Sequence, residues 1–151
     1  MGTVHNKDII SPYKGIFSFR IKDHNGFVVY NYSDNNMIVT QSKVALAYLV
    51  SEANREDKII TQFGIGTGQT AATPSDTTLE NLYIKPIINH DFPEPGRVRF
   101  HWALEYGEAN GVAISEFGLF CSDGTLFARK VRGTITKEED LSFEGEWTIV
   151  F

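Results

Sequence analysis

Sulfur and positive charge are both scarce in this chain. Of 151 residues, one is cysteine (Cys121) and two are methionine. A single thiol excludes an internal disulfide framework and a CxxC zinc site. Lysine and arginine total 14 against 19 aspartates and glutamates, a net charge of −5. Nucleic-acid binders normally carry a basic footprint, so no nucleic-acid partner is expected. Nowhere do about 18 apolar residues run consecutively, which excludes a membrane-spanning helix, and no membrane partner is expected. Met1 to Asp8 shows no basic region leading into an apolar run, so no secretory signal is read there. Asn6 stands where a myristoylation signal carries Ser or Thr. The expectation is a soluble protein made in a cytoplasm.

What the chain has in excess is aromatic side chains: 13% of residues, with eleven Phe, six Tyr and two Trp, beside thirteen Gly. Aromatics favour half-buried pleated surfaces and glycine favours tight turns, so composition leans towards β structure. Hydrophobic residues make up 42% and charged ones 22%, an ordinary globular balance. The length fits one domain, and a chain of this size buries roughly 70% of its unfolded surface.

Residues 1–13 carry no clear period and read as an N-terminal arm or lead-in; residues 14–151 read as a single β-rich domain. Phe17, Phe19 and Ile21 alternate with Ser18, Arg20 and Lys22. Asp23-His24-Asn25-Gly26 is a hairpin turn, since Asn-Gly supplies positive φ. Residues 41–54 change to helical spacing, with Leu46, Leu49, Val50 and Ala53 on one face and Thr40 or Ser42 as cap. Lys58 to Ile65 resumes β character. A long Gly, Thr, Ser and Pro segment then runs to Thr78, and Leu79 to Phe92 reads as one long strand with Pro86 at an edge or bulge. Val98, Phe100, Trp102, Leu104 and Tyr106 give the cleanest alternation, followed by strands near 112–121, 125–133 and 143–151. The fold class expected is mainly β: an antiparallel sandwich or barrel-like domain with one amphipathic helix.

No enzyme signature emerges. Gly64-Ile65-Gly66-Thr67-Gly68 lacks the helix that must follow a phosphate-cradling loop, so these glycines read as a bend or a close backbone approach. His5, His24, His90 and His101 show no spacing of metal ligands. His90 and Asp91 are adjacent, hence on opposite strand faces. Glu105 and Glu108 flank a turn and read as solvated, as does the block Lys137-Glu138-Glu139-Asp140. Arg129 to Arg132 is a short basic strand suited to acidic residues of a neighbour, or to solvent. Cys121 reads as a small buried hydrophobe. Glu116 lies inside an apolar run and needs a partner, and Arg129 or Arg132 on the next strand is within reach. No cofactor is expected.

Three segments together carry a resemblance. Gly64-Ile-Gly-Thr-Gly-Gln-Thr-Ala-Ala-Thr-Pro-Ser-Asp-Thr-Thr-Leu-Glu-Asn81 resembles a stretch of bacteriophage tail-fibre and tail-collar virion proteins. Glu108 to Phe120, with Asp123-Gly124 and Leu126-Phe-Ala-Arg-Lys130, is similar to their "I-x-E-x-G-L-F…D-G-x-L-x-A-R" strand pair. Asn36 to Thr40 and the closing Trp147 to Phe151 fit the same scheme. The resemblance implies a non-catalytic virion protein, a small adaptor, collar or decoration member. Such a protein docks on other tail, neck or baseplate proteins and on copies of itself. Its localisation would be the virion, after synthesis in the host cytoplasm. Glu116 and Arg129 would be a structural ion pair. Gly66, Thr67, Gly68, Thr73, Pro74 and Asp76 are the candidates for an interaction loop, because a connection this long is expected to be functional. The alternative is a carbohydrate-binding β-sandwich module for host-surface recognition, using Tyr83, Trp102 or Tyr106 as an aromatic platform. The parity of Trp102 and Tyr106 with Val98 and Phe100 instead assigns them to the core.

Overall fold

The alternation of apolar and polar residues sets the architecture in the computed structural model, which describes residues 13–151. The expected arm therefore lies outside the described residues except for Tyr13. Nine strands and one helix follow in order: β1 (Lys14–Lys22), β2 (Val28–Ile38), α1 (Gln41–Ser51), β3 (Ile60–Gly66), β4 (Tyr83–Pro86), β5 (Asn89–Asp91), β6 (Arg97–Leu104), β7 (Ala113–Cys121), β8 (Leu126–Thr136) and β9 (Ser142–Val150). They form one antiparallel sheet in the order β4-β3-β7-β8-β2-β1-β9-β6-β5, curled into a half-barrel. The mainly β fold class expected from the sequence is the one observed.

The β1–β2 hairpin turns where Asn25-Gly26 places it. Gly26 takes φ +82°, and the Asp23 carboxylate accepts the amides of Asn25 and Phe27 at 2.9 and 3.0 Å. Residues 79–92 correct the single-strand reading. The strand breaks after Pro86, which has no N–H to continue a ladder. Its halves β4 and β5 lie at opposite ends of the sheet. Between them, Ile87 N–H donates to Thr61 O of β3 at 3.0 Å and Ile88 N–H to His101 O of β6 at 2.8 Å. Two adjacent residues thus draw the sheet's ends together, and that contact curls the sheet.

The helix is shorter than its pattern, ending at Ser51, and Asn54 takes the left-handed φ of 62° beyond it. Thr40 occupies the cap position without a side-chain cap bond, and Ser42 points inwards. Of the expected apolar stripe, Leu46 packs on the core while Val50 is 84% exposed. Tertiary packing on β8, not amphipathic period, positions this helix.

The core is a stack of rings. Phe17, Phe19, Phe63, Trp102, Phe117, Phe143 and Trp147 are all buried. Phe63 and Trp102 stack with centroids 4.0 Å apart, and Phe17 lies 4.7 Å from both Phe117 and Trp147. Each ring buried this way stabilises the fold by about 1.5–3 kcal/mol. Trp147 Nε1 donates to Asn36 Oδ1 at 2.8 Å, whereas Trp102 Nε1 has no partner among the described residues.

Candidate functional site

Glu116 on β7 and Arg129 on β8 belong to adjacent antiparallel strands whose register slips between Ile114 and Glu116. Both face away from the ring stack, under the segment that joins β3 to β4. Arg129 Nε donates to Glu116 Oε1 at 3.0 Å, with the side chains 5% and 1% exposed. Charges this deep are tolerated only when every donor and acceptor is engaged. The second carboxylate oxygen, Oε2, accepts the amides of Gly68 (2.5 Å) and Glu80 (2.8 Å). Arg129 Nη1 reaches Asp76 Oδ2 at 2.7 Å, and Nη2 reaches Thr70 O at 3.0 Å. Ser115 Oγ completes the shell by donating to Gly68 O at 2.6 Å.

The loop is therefore pinned along its length. The Asp76 carboxylate accepts both the Thr73 amide and hydroxyl at 2.8 Å. Burial pushes that carboxyl up, but the Thr73 amide, Arg129 and the Thr73 hydroxyl outweigh it and hold it below the ordinary 3.8. Pro74 O accepts the Thr40 amide at 2.7 Å, tying the loop to the start of α1. Asn81 Nδ2 donates to Thr67 Oγ1 at 2.9 Å. Leu79 sits in a small second core with Val39, Phe120 and Leu126. Gly66 and Gly68 are required by close approach: a Cβ on either would strike Glu116 Oε2. The glycine run is thus a close backbone approach, and the residues after it form this loop rather than a helix.

All six loop candidates lie in this segment, but unequally. Gly66 and Gly68 are buried beneath it, Thr67 is partly covered, and Thr73 and Pro74 are exposed. Asp76 is the third member of the ion cluster, a role the sequence reading did not assign to it. Beside the cluster an open groove of about 670 Å³ runs between Ala71, Ala72, Asn36, Met37 and Lys130.

Two other polar groups depart from the solvated positions expected of them. Lys137 is not solvated: it is 0% exposed, and its Nζ donates to Asn110 Oδ1 (2.8 Å), Glu138 O (3.0 Å) and Tyr106 O (3.3 Å). Glu108 is held by Lys85 Nζ at 2.5 Å and the Tyr83 hydroxyl at 2.9 Å. Lysine and tyrosine arrive from β4, too distant in sequence to be foreseen. His101 Nε2 lies 2.9 Å from Asp91 Oδ1, and Arg99 binds the same carboxylate. Arg99 first and His101 second hold Asp91 well below the usual carboxylate range. His90, on the opposite face, instead packs edge-on against Phe92.

Of the three candidates for an aromatic platform, Tyr83 alone is exposed, at 37%, with its hydroxyl bound to Glu108. Trp102 is 1% exposed within the ring stack, and the half-buried Tyr106 donates its hydroxyl to Asp23 O at 2.5 Å. Among the described residues, no group of three or more His, Cys, Asp or Glu side chains is arranged to hold a metal ion. No protein-family model, curated protein or solved structure matches the chain.

Proposed function

We infer that this chain is a non-catalytic structural protein of a bacteriophage virion, oligomeric and docked on the tail, neck or baseplate. The observation that carries the reading is convergence. The motifs that resemble phage virion proteins lie far apart in sequence, yet Gly66, Gly68, Asp76, Glu116 and Arg129 close on one buried network. These residues anchor a long connection to the sheet. The carboxylates with most chemical interest, Glu116, Asp76, Glu108 and Asp91, are each engaged by a cation. That distribution suits a scaffold for assembly.

The test is composition of the particle. Quantitative mass spectrometry of purified virions from the phage encoding this chain is expected to find it at a fixed copy number per particle. Its absence from infectious particles, together with a monomer that binds glycans on an array, would replace this reading with the carbohydrate-binding one.

A further inference from the structure

The sheet is continuous but not evenly paired. β2 registers with β8 only through Met37–Arg129 and Ile38–Ala128, then diverges along β1. From Lys130 to Thr136, β8 is registered with β7 alone. A wedge therefore opens between β2 and β8, bridged by the Lys130 and Arg132 side chains, and among the described residues one edge of β8 has no strand partner there. Natural edges are commonly guarded by charge, proline or a bulge. Gly133, Thr134, Ile135 and Thr136 supply no charge and no proline, and three of the four are exposed, so the bulge against β7 between Val131 and Ile135 and the charge of Arg132 are what interrupt this edge.

Arg132 stands at the mouth of this wedge. Its guanidinium lies 4.6 Å from the Tyr32 ring centroid and 5.5 Å from that of Tyr30, with Nη1 donating to the Tyr30 hydroxyl at 2.7 Å. Nε donates to Gly133 O at 2.8 Å. Two donors out of five are thus used and the fork is held flat, a preorganised carboxylate receptor. Among the described residues Arg132 has no carboxylate partner, although Lys130 on the same strand has Asp34 at 2.7 Å. The complementary group follows β8 directly. Glu138, Glu139 and Asp140 are exposed, and none of them forms an ion pair among the described residues. Within one chain β8 continues from Arg132 to Thr136 before these acidic residues begin, and no ion pair joins them to Arg132 among the described residues.

We propose that a second copy of this chain docks along the free edge of β8. The two strands run antiparallel about a two-fold axis near Ile135, so that Arg132 of each copy meets Glu138 of the other. A two-fold contact uses the same patch on both partners, so a single alignment satisfies both unpaired groups twice. Backbone pairing covers the open edge, and Lys130 comes opposite the acidic turn near Asp140. The inference rests on the oligomeric reading above and specifies its contact.

Charge exchange tests it in the full chain. Arg132→Glu and Glu138→Arg are each expected to weaken self-association at least tenfold in sedimentation-velocity titrations. Each homodimer then juxtaposes like charges. Mixed one to one, the two variants are expected to form a heterodimer of near wild-type affinity, since both contacts become attractive. Circular dichroism matching the wild type checks the fold, and the exposed Glu138→Arg carries the test if Arg132→Glu destabilises the chain. An oligomeric wild type unaffected by either change, or variants that fail to recombine, would overturn this contact while leaving the oligomeric reading standing. A strictly monomeric wild type present in virions overturns the contact and the oligomeric part of the reading but not the virion part; a monomer absent from virions overturns the whole of it.

Discussion

Glu116 and Arg129 face each other across β7 and β8 at 3.0 Å, and each holds a different part of the 66–80 loop. Glu116 takes the backbone at Gly68 and Glu80, while Arg129 takes Thr70 and Asp76. The pair is thus the fastening of the longest connection in the described chain.

Removing one partner leaves the other buried and uncompensated. Arg129→Ala is expected to cost about 3–5 kcal/mol. Glu116→Gln keeps an acceptor for the loop amides and is expected to cost less. Urea denaturation of both variants decides it; equal and small losses would show that the loop, not the pair, carries the stability.

Gly68 has no room for a methyl group, because its Cβ would occupy the Glu116 carboxylate. Gly68→Ala is expected to destabilise by about 1–3 kcal/mol through overpacking. Gly107→Ala, where nothing lies within 4 Å of the added Cβ, is expected to stay within about 0.5 kcal/mol of wild type. Similar effects at both sites would sink the close-approach account.

Lys137 gives the chain a distinctive alkaline response. Burial pushes its ammonium below the ordinary 10.5, against the pull of Glu108, Asp140, Glu105 and Glu138. The folded state therefore releases this proton first. In the window below 10.5 the unfolded chain binds more protons, so this residue makes stability rise with pH there. Lys137→Met is expected to abolish that contribution, read as the difference between wild-type and variant urea midpoints from neutral pH to 10.5. A constant difference would remove Lys137 as the cause.

Cys121 is 0% exposed, and burial, reinforced by Asp123, pushes its thiol up to about 12. The thiolate is the reactive form, so the native protein is expected to react with a disulfide reagent only as fast as it opens. Labelling at the rate of a free thiol in native buffer would contradict the placement of β7 in the core.

Parity alone located most of the core. A period of two turns Phe17, Phe19, Phe100 and Trp102 inwards, and all four are buried, whereas Tyr106, given the same parity, lies beyond the end of β6 and is only half-buried, and Phe151 at the end of the closing strand is 52% exposed. A strand's two faces depend only on alternation, so local sequence suffices there. Glu116 was legible for a related reason: a carboxylate in an apolar strand demands a partner, and the neighbouring strand offered Arg129 or Arg132, between which the structure selects Arg129. Lys137 was not legible. It adjoins three acidic residues, and no local pattern says that Tyr106, Asn110 and the chain itself surround its ammonium. The break after Pro86 was only half visible, since proline marks an edge but not which edge.

The sequence by itself determined the β class, the ring-filled core, the Asn25-Gly26 turn and the need for a partner at Glu116. Those features follow from alternation, turn stereochemistry and the cost of burying charge, all of which act over a few residues. The tertiary structure alone decided that β4 and β5 lie at opposite ends of one sheet. It alone closed the 66–80 loop over Glu116 and Arg129 and left β8 with an open edge. These depend on which distant strands find one another, and contacts between residues 13 to 59 apart leave no periodic trace along the chain.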